Sequence, residues 1–248
     1  MTKRIKTMKL MLICTLWLVA VGAEASLWDE YDELLSQYVQ SGERQGIEVN
    51  LVDYDGLEQE PAFVSLVNQI KSFPVSALVS KKEKLAFYIN AYNILTIQLI
   101  IDHQPEESIK EIGNIFSGPW DKVVLQHGLV GLTLDDIEHK IIRPMGEPRI
   151  HFAVVCASLS CPNLRTTAYR ANKLESQLES QTKIFLAQQS KGLKREKDKI
   201  YISKIFGWYK KDFEASGGVY SFVTRYYNEG IDSRVIDYLD YNWMLNKR

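Results

Sequence analysis

The spacing of apolar and polar positions divides the chain into several helices and a few short strands. Leu27, Tyr31, Leu34, Leu35 and Tyr38 recur on one helical face, which predicts a helix over 27–39 that stops at Ser41-Gly42. Ile47, Val49 and Leu51 alternate with Glu48 and Asn50, as a short strand over 47–54 would. A second helix is expected over 56–72, closed by Pro74. Residues 82–102 carry the strongest helical signal. Their apolar positions, Phe87, Ile89, Tyr92 and Leu95 among them, cover nearly the whole circumference. A helix apolar all round is normally buried. Its polar exceptions, Asn90, Asn93 and Thr96, follow at three-residue steps and share one side. Buried amides need partners, so Asn90 and Asn93 either hold a neighbouring loop or line a pocket.

Further on, the pattern predicts a short helix over 106–112 and a hairpin of 122–125 with 129–132. Thr133 then caps a helix with Asp135 and Asp136 in its first turn. Leu134, Ile137 and Ile141 form that helix's apolar stripe, and Glu138 falls on the same stripe. A carboxylate there is costly unless paired or protonated. His139 points about 100° away on an α-helix. Ile150 to Val155 is a near-continuous, β-branched-rich apolar run, predicting a buried strand that runs into the small-residue turn Ala157 to Pro162. A helix over 171–187, a hairpin turning at Lys197-Asp198, an aromatic segment with Trp208 and Tyr209, a short helix over 219–227 and a last strand over 235–245 complete the chain. The sum is one α+β domain, its buried central helix packed on a small, mostly antiparallel sheet.

Composition changes this picture at the N-terminus. Lys3, Arg4, Lys6 and Lys9 precede the apolar run Leu10 to Val21, and Ala23-Glu24-Ala25 matches a small-x-small cleavage site before Ser26. The expectation is an export signal over 1–25, carrying Cys14 away with it, and a periplasmic or secreted domain over 26–248. The whole chain has a net charge of −1, and loss of that basic leader makes the remainder more acidic. This argues against a general nucleic-acid surface. No large exposed apolar patch is evident, so a monomer is the expectation. In an oxidising compartment Cys156 and Cys161 are candidates for a small disulfide loop.

Several motifs resemble a known family. Phe87-Tyr88-Ile89-Asn90-Ala91-Tyr92-Asn93, Leu134-Asp135-Asp136-Ile137-Glu138-His139, Pro148-Arg149-Ile150-His151-Phe152-Ala153 with Cys156-Ala157-Ser158-Leu159-Ser160-Cys161-Pro162, and Ser203-Lys204-Ile205-Phe206 with Trp208-Tyr209 and Asp212-Phe213 resemble, in order, the motifs of domain of unknown function 547. Val52-Asp53-Tyr54 is similar to its N-terminal entry. The resemblance implies membership of a family of uncharacterised function. A more distant likeness is to papain- and transglutaminase-like thiol hydrolases, which pair a buried central helix with an antiparallel sheet carrying the histidine. Those enzymes begin the helix with the nucleophilic cysteine, whereas 82–102 contains none.

Two readings of the site stay open, together with a weaker third. In the favoured one the chain is a ligand- or protein-binding module for an unidentified small molecule or peptide. Asn90, Asn93, Glu138, His139 and His151 then form a buried polar network, Trp208 offers a stacking surface, and Cys156–Cys161 is a staple. In the other, a thiol-dependent hydrolase or acyl transferase uses Cys156 as nucleophile, His151 or His139 as base and Glu138 to orient it, with Asn90 or Asn93 donating to an oxyanion. On a regular strand His151 and Cys156 point to opposite faces, which favours His139. A zinc site from Cys156, Cys161, His151 and His139 has loose spacing and no second cysteine pair. The expectation is therefore no metal and no cofactor.

Overall fold

A computed structural model describes residues 27–114, 116–127, 130–196, 199–227 and 236–248. The expected signal segment over 1–25, with Cys14, lies outside the described residues, as does the expected turn at Lys197-Asp198.

The architecture is α+β, built around one buried helix. Helix α1 (27–38) leads into strand β1 (Val39–Arg44), which pairs antiparallel with β2 (Ile47–Val52). β1 is a departure from the sequence expectation, because Ser41-Gly42 reads as a helix stop and in fact lies within the strand. The turn between the strands puts Gln45 and Gly46 at φ 53° and 74°. Two successive left-handed residues match the right-handed twist of a tight hairpin. The single helix expected over 56–72 is two, α2 (Tyr54–Glu58) and α3 (Pro61–Ser72). Pro61 lacks the N–H needed to continue a helix but suits the first turn of a new one, and the Glu60 side chain caps it.

Helix α4 (Lys81–His103) is the centre. Ser80 and Glu83 form a reciprocal capping box at its start: Glu83 N–H donates to Ser80 Oγ at 3.1 Å, and Ser80 N–H donates to Glu83 Oε2 at 2.7 Å. Its apolar circumference is buried as expected, from Leu85 through Ile100. By length and composition α4 passes for a membrane span, but 78% of its most apolar window is buried inside the protein. The surrounding chain does what lipid would otherwise do.

The strands form three small sheets among the described residues. β3 (Val123–His127) pairs with β4 (Val130–Thr133), and β5 (Leu193–Glu196) pairs antiparallel with β6 (Lys199–Ile202). β7 (Ile236–Tyr238) joins β6 in parallel. Helix α5 (Leu174–Ala187) and the short helices α6 (Ile205–Trp208) and α7 (Gly218–Thr224) complete the regular elements. The apolar interior has two main parts. The larger is gathered on α4, and the smaller is aromatic, with Phe152, Phe185, Phe206, Phe213 and Phe222 in mutual contact.

The segment 150–155 is not a strand. Pro148–Phe152 is a 3₁₀ helix, and the chain then runs without regular structure through Val154 and Val155. Burial on all sides produces a continuous apolar run in a tight helix as readily as in a central strand. Pro148 at the first position decides for the helix. The parity argument that set His151 and Cys156 on opposite faces therefore does not apply.

Candidate active site

A cavity of about 360 Å³ opens at the seam between the two parts of the interior. Its walls bring Glu138, His139, His151, Cys156, Cys161 and Trp208 together, six of the eight residues singled out from the sequence. Asn90 and Asn93 are not among its lining residues. Asn90 Nδ2 donates to Tyr169 O, and its Oδ1 accepts from Tyr169 N–H, both at 2.8 Å. Asn93 Nδ2 donates to Ala153 O at 3.0 Å, and its Oδ1 accepts from Val155 N–H at 2.9 Å. Each amide imitates a strand edge for one passing residue or two. Asn93 thereby fixes the backbone that leads directly into Cys156.

Cys156 stands where the chain reverses. Ala157, the next residue, has φ 57°, a left-handed conformation that costs a non-glycine residue on the order of 1 kcal/mol. It is held by Asn246 N–H donating to Ala157 O at 3.0 Å. Cys156 and Cys161 are both free thiols in the structure, with their Sγ atoms 2.9 Å apart. Cys161 is buried and its Sγ also accepts from Cys156 N–H at 2.9 Å. The half-buried Cys156 Sγ lies 3.2 Å from Ser158 Oγ and 3.3 Å from the Tyr241 hydroxyl. Burial pushes the Cys156 thiol up, but hydrogen bonds from Cys161, Ser158 and Tyr241 to the sulfur outweigh it and the group titrates below its ordinary value. Burial and the neighbouring Cys156 sulfur move Cys161 the other way. As a thiol Cys156 donates to Cys161 Sγ; once Cys156 ionises, Cys161, whose own pKa is raised, stays protonated and becomes the donor.

His151 is 3% exposed and stacks on Tyr209 at 3.9 Å between ring centroids. Its Nε2 lies 2.7 Å from Asp212 Oδ2. Burial lowers its pKa, against the opposing pull of Asp212, so the neutral ring is favoured. The neutral ring donates Nε2–H to Asp212 and keeps its lone pair on Nδ1. Arg143 grips the same carboxylate with two bonds, of 2.6 and 2.7 Å. Although burial raises the Asp212 carboxyl, Arg143 and His151 hold it well below the usual carboxylate range. The third donor of Arg143 reaches His139 Nδ1 at 2.7 Å. His139 Nδ1 is therefore the acceptor, and its Nε2–H donates to Asp135, 3.2 Å away. That tautomer leaves His139 no free lone pair, so His151 is the better base. His151 and Cys156 share the cavity wall without bonding to each other directly.

Glu138 and His139 sit on a π-helix, Asp136–Ile142, started by Asp136 N–H donating to Thr133 Oγ1 at 3.0 Å. The wider π turn separates successive residues by a smaller angle than an α turn. Both side chains consequently line the cavity, where an α-helix would have set His139 aside. Glu138 is 5% exposed; its charge helps raise the Tyr209 phenol, and its Oε1 has no partner among the described residues.

Trp120, Trp208, Tyr241 and Trp243 form the aromatic side of the cavity, with Trp208 4.8 Å from Tyr241 and 5.7 Å from Trp243 between centroids. Asp212, Arg143, Ser158 and Tyr241 were not singled out from the sequence. The His139–Arg143 spacing of four was a local clue, and Asp212 lay in a quoted motif. Tyr241 had no local signal at all, being 85 residues from the thiol it touches. Among the described residues no three His, Cys, Asp or Glu side chains are grouped as metal ligands. The zinc reading of Cys156, Cys161, His151 and His139 has no support in the geometry.

Residues 76–186 match the model of a family described as protein of unknown function, DUF547. The matched segment contains α4, the π-helix and the whole Cys156 turn, so the family resemblance read from the sequence is shown there. Asp212 and the aromatic wall from Trp208 onward lie beyond it. No curated protein and no solved structure matches the chain, and the likeness to papain- and transglutaminase-like hydrolases has no match behind it.

Proposed function

We propose that the protein is a thiol enzyme of the acyl-transfer type, a hydrolase or acyl transferase, with Cys156 as nucleophile and His151 as proton carrier. The observation that carries this reading is a free cysteine, beside the Ser158 and Tyr241 hydroxyls, lining the same cavity as His151, whose Nε2 is bonded to Asp212 behind it. The Cys156 proton passes to His151 Nδ1, and the thiolate adds to a substrate carbonyl. As the tetrahedral adduct collapses, the carbonyl–heteroatom bond breaks and the leaving group takes the proton from His151. Water, or an acceptor amine or alcohol, then attacks the thioester while His151 takes its proton. The acyl group leaves and the thiol is restored. Asp212 keeps His151 in the required tautomer and stabilises the imidazolium, and Arg143 holds Asp212 in place.

The test is turnover of a panel of p-nitrophenyl esters and amino-acid amides. Cys156→Ser is expected to fold and to lose at least about a hundredfold in kcat/KM, and His151→Gln about as much. Equal activity in wild type and Cys156→Ser would sink the proposal.

The aromatic walls support a second reading, a pocket that binds a ligand unchanged. It predicts that Cys156→Ser and wild type bind the same compounds and that neither converts them.

A further inference from the structure

The cavity lining carries Asp121, Asp135 and Glu138 and no lysine or arginine. Asp121 and Asp135 are already engaged: Gly118 N–H donates to Asp121 Oδ2 at 2.7 Å, and His139 meets Asp135. Glu138 differs from them in being almost wholly buried with one oxygen unpartnered among the described residues. Burying a carboxylate oxygen without a donor is costly. Arg143 commits three of its five N–H groups to Asp212 and His139 and makes no hydrogen bond to Glu138 Oε1. A buried acceptor beside an acidic, aromatic-walled cavity is a receptor for a positive group bearing N–H.

We propose that the substrate carries a protonated amine or guanidinium, which docks on Glu138 while its carbonyl lies at Cys156. This rests on the cavity being the reaction site proposed above, and it adds the substrate's charge. The Tyr209 phenol lines the cavity together with Glu138. Burial and the Glu138 charge push that phenol well above the tyrosine range, so it stays a donor. The ring faces of Trp208 and Tyr241 accept the apolar stem that joins the cation to the carbonyl. A cavity of about 360 Å³ suits a molecule of one or two amino-acid units.

The experiment compares two side-chain analogues on the thiol-free variant Cys156→Ser, so that binding is read without chemistry. Calorimetric titration with Nα-acetyl-lysine methylamide is expected to give a Kd at least about tenfold lower than with the uncharged Nα-acetyl-norleucine methylamide. Nα-acetyl-arginine methylamide serves as the guanidinium arm. In Glu138→Gln/Cys156→Ser the preference for either cation is expected to fall to about unity. Equal binding of lysine and norleucine derivatives with no arginine preference, or tighter binding of norleucine, overturns the inference without recourse to the Glu138 variant. A cation preference that persists undiminished in a folded Glu138→Gln protein overturns the assignment to Glu138. These outcomes do not depend on turnover. An inert Cys156 combined with a cation-selective pocket refutes the thiol enzyme alone, and an active thiol with no cation preference refutes this inference alone.

Discussion

His151, Asp212 and Arg143 form a chain in which each group fixes the next. Arg143 and Asp212 are 27% and 21% exposed, so solvent screens the pair and its worth is modest. The His151 end is buried, and its lowered pKa makes stability depend on pH. Below the ordinary value of 6.5 the unfolded chain takes up a proton that folded His151 resists, so stability falls as pH falls through that range. Asp212, with its depressed pKa, contributes stability above 3.8 that is lost on further acidification. Asp212→Asn is expected to lower stability at pH 7 by about 1–3 kcal/mol, chiefly because buried His151 loses its charged acceptor and only secondarily because Arg143 loses its screened counter-charge. It should also flatten the loss below pH 4. Urea unfolding at pH 7, 5 and 3.5 measures both, and an unchanged acid limb contradicts the pairing. From sequence, the histidine was recognisable and its partner was not, since the two are 61 residues apart and meet only in the fold.

At the scale of elements, α4 was the most legible part of the chain, because nothing but burial accounts for apolar residues on every side. Its two asparagines were legible as partner-seeking amides, and the loop-holding alternative is the one the hydrogen bonds support. Asn93→Ala removes two buried bonds to the backbone that carries Cys156, with an expected cost of about 2–4 kcal/mol by chemical denaturation. A cost below about 0.5 kcal/mol would mean that the clamp is not needed. The π-helix was not legible. Its stripe of Leu134, Ile137 and Ile141 satisfies α spacing, and nothing in that spacing distinguishes a π turn from an α turn. The segment 150–155 failed for a related reason: composition reports burial, while the backbone conformation is set by Pro148 and the turns on either side.

Across the whole molecule, the C-terminal residues act as a strap over the site. Leu159 N–H donates to Met244 O at 2.8 Å, Ser160 N–H to Asn242 O at 3.2 Å, Asn246 N–H to Ala157 O at 3.0 Å and Val52 N–H to Asn246 O at 2.8 Å. The strap thereby ties the Cys156 turn to the N-terminal hairpin and supplies Tyr241 and Trp243 to the cavity. A loosely alternating tail was all that the sequence offered here, because the partners are distant backbone groups. Truncation after Asp240 is expected to abolish cooperative unfolding or to lower Tm by well over 5 °C, the four broken bonds costing about 4 kcal/mol in sum at about 1 kcal/mol each. A truncated chain that melts like the full one would show that the strap is dispensable.

The central claim is that Cys156 is a primed nucleophile whose thiolate is stabilised by the Cys161 thiol and the Tyr241 hydroxyl. Its most direct measurement is the rate of iodoacetamide alkylation at each cysteine across pH 5–9, read by peptide mass spectrometry under reducing conditions. The account predicts that Cys156 reacts first, with a midpoint below the ordinary cysteine value of about 8.5, and that the midpoint rises in Cys161→Ala and Tyr241→Phe. Alkylation of Cys156 at or above the ordinary midpoint, or faster reaction at Cys161, would contradict it.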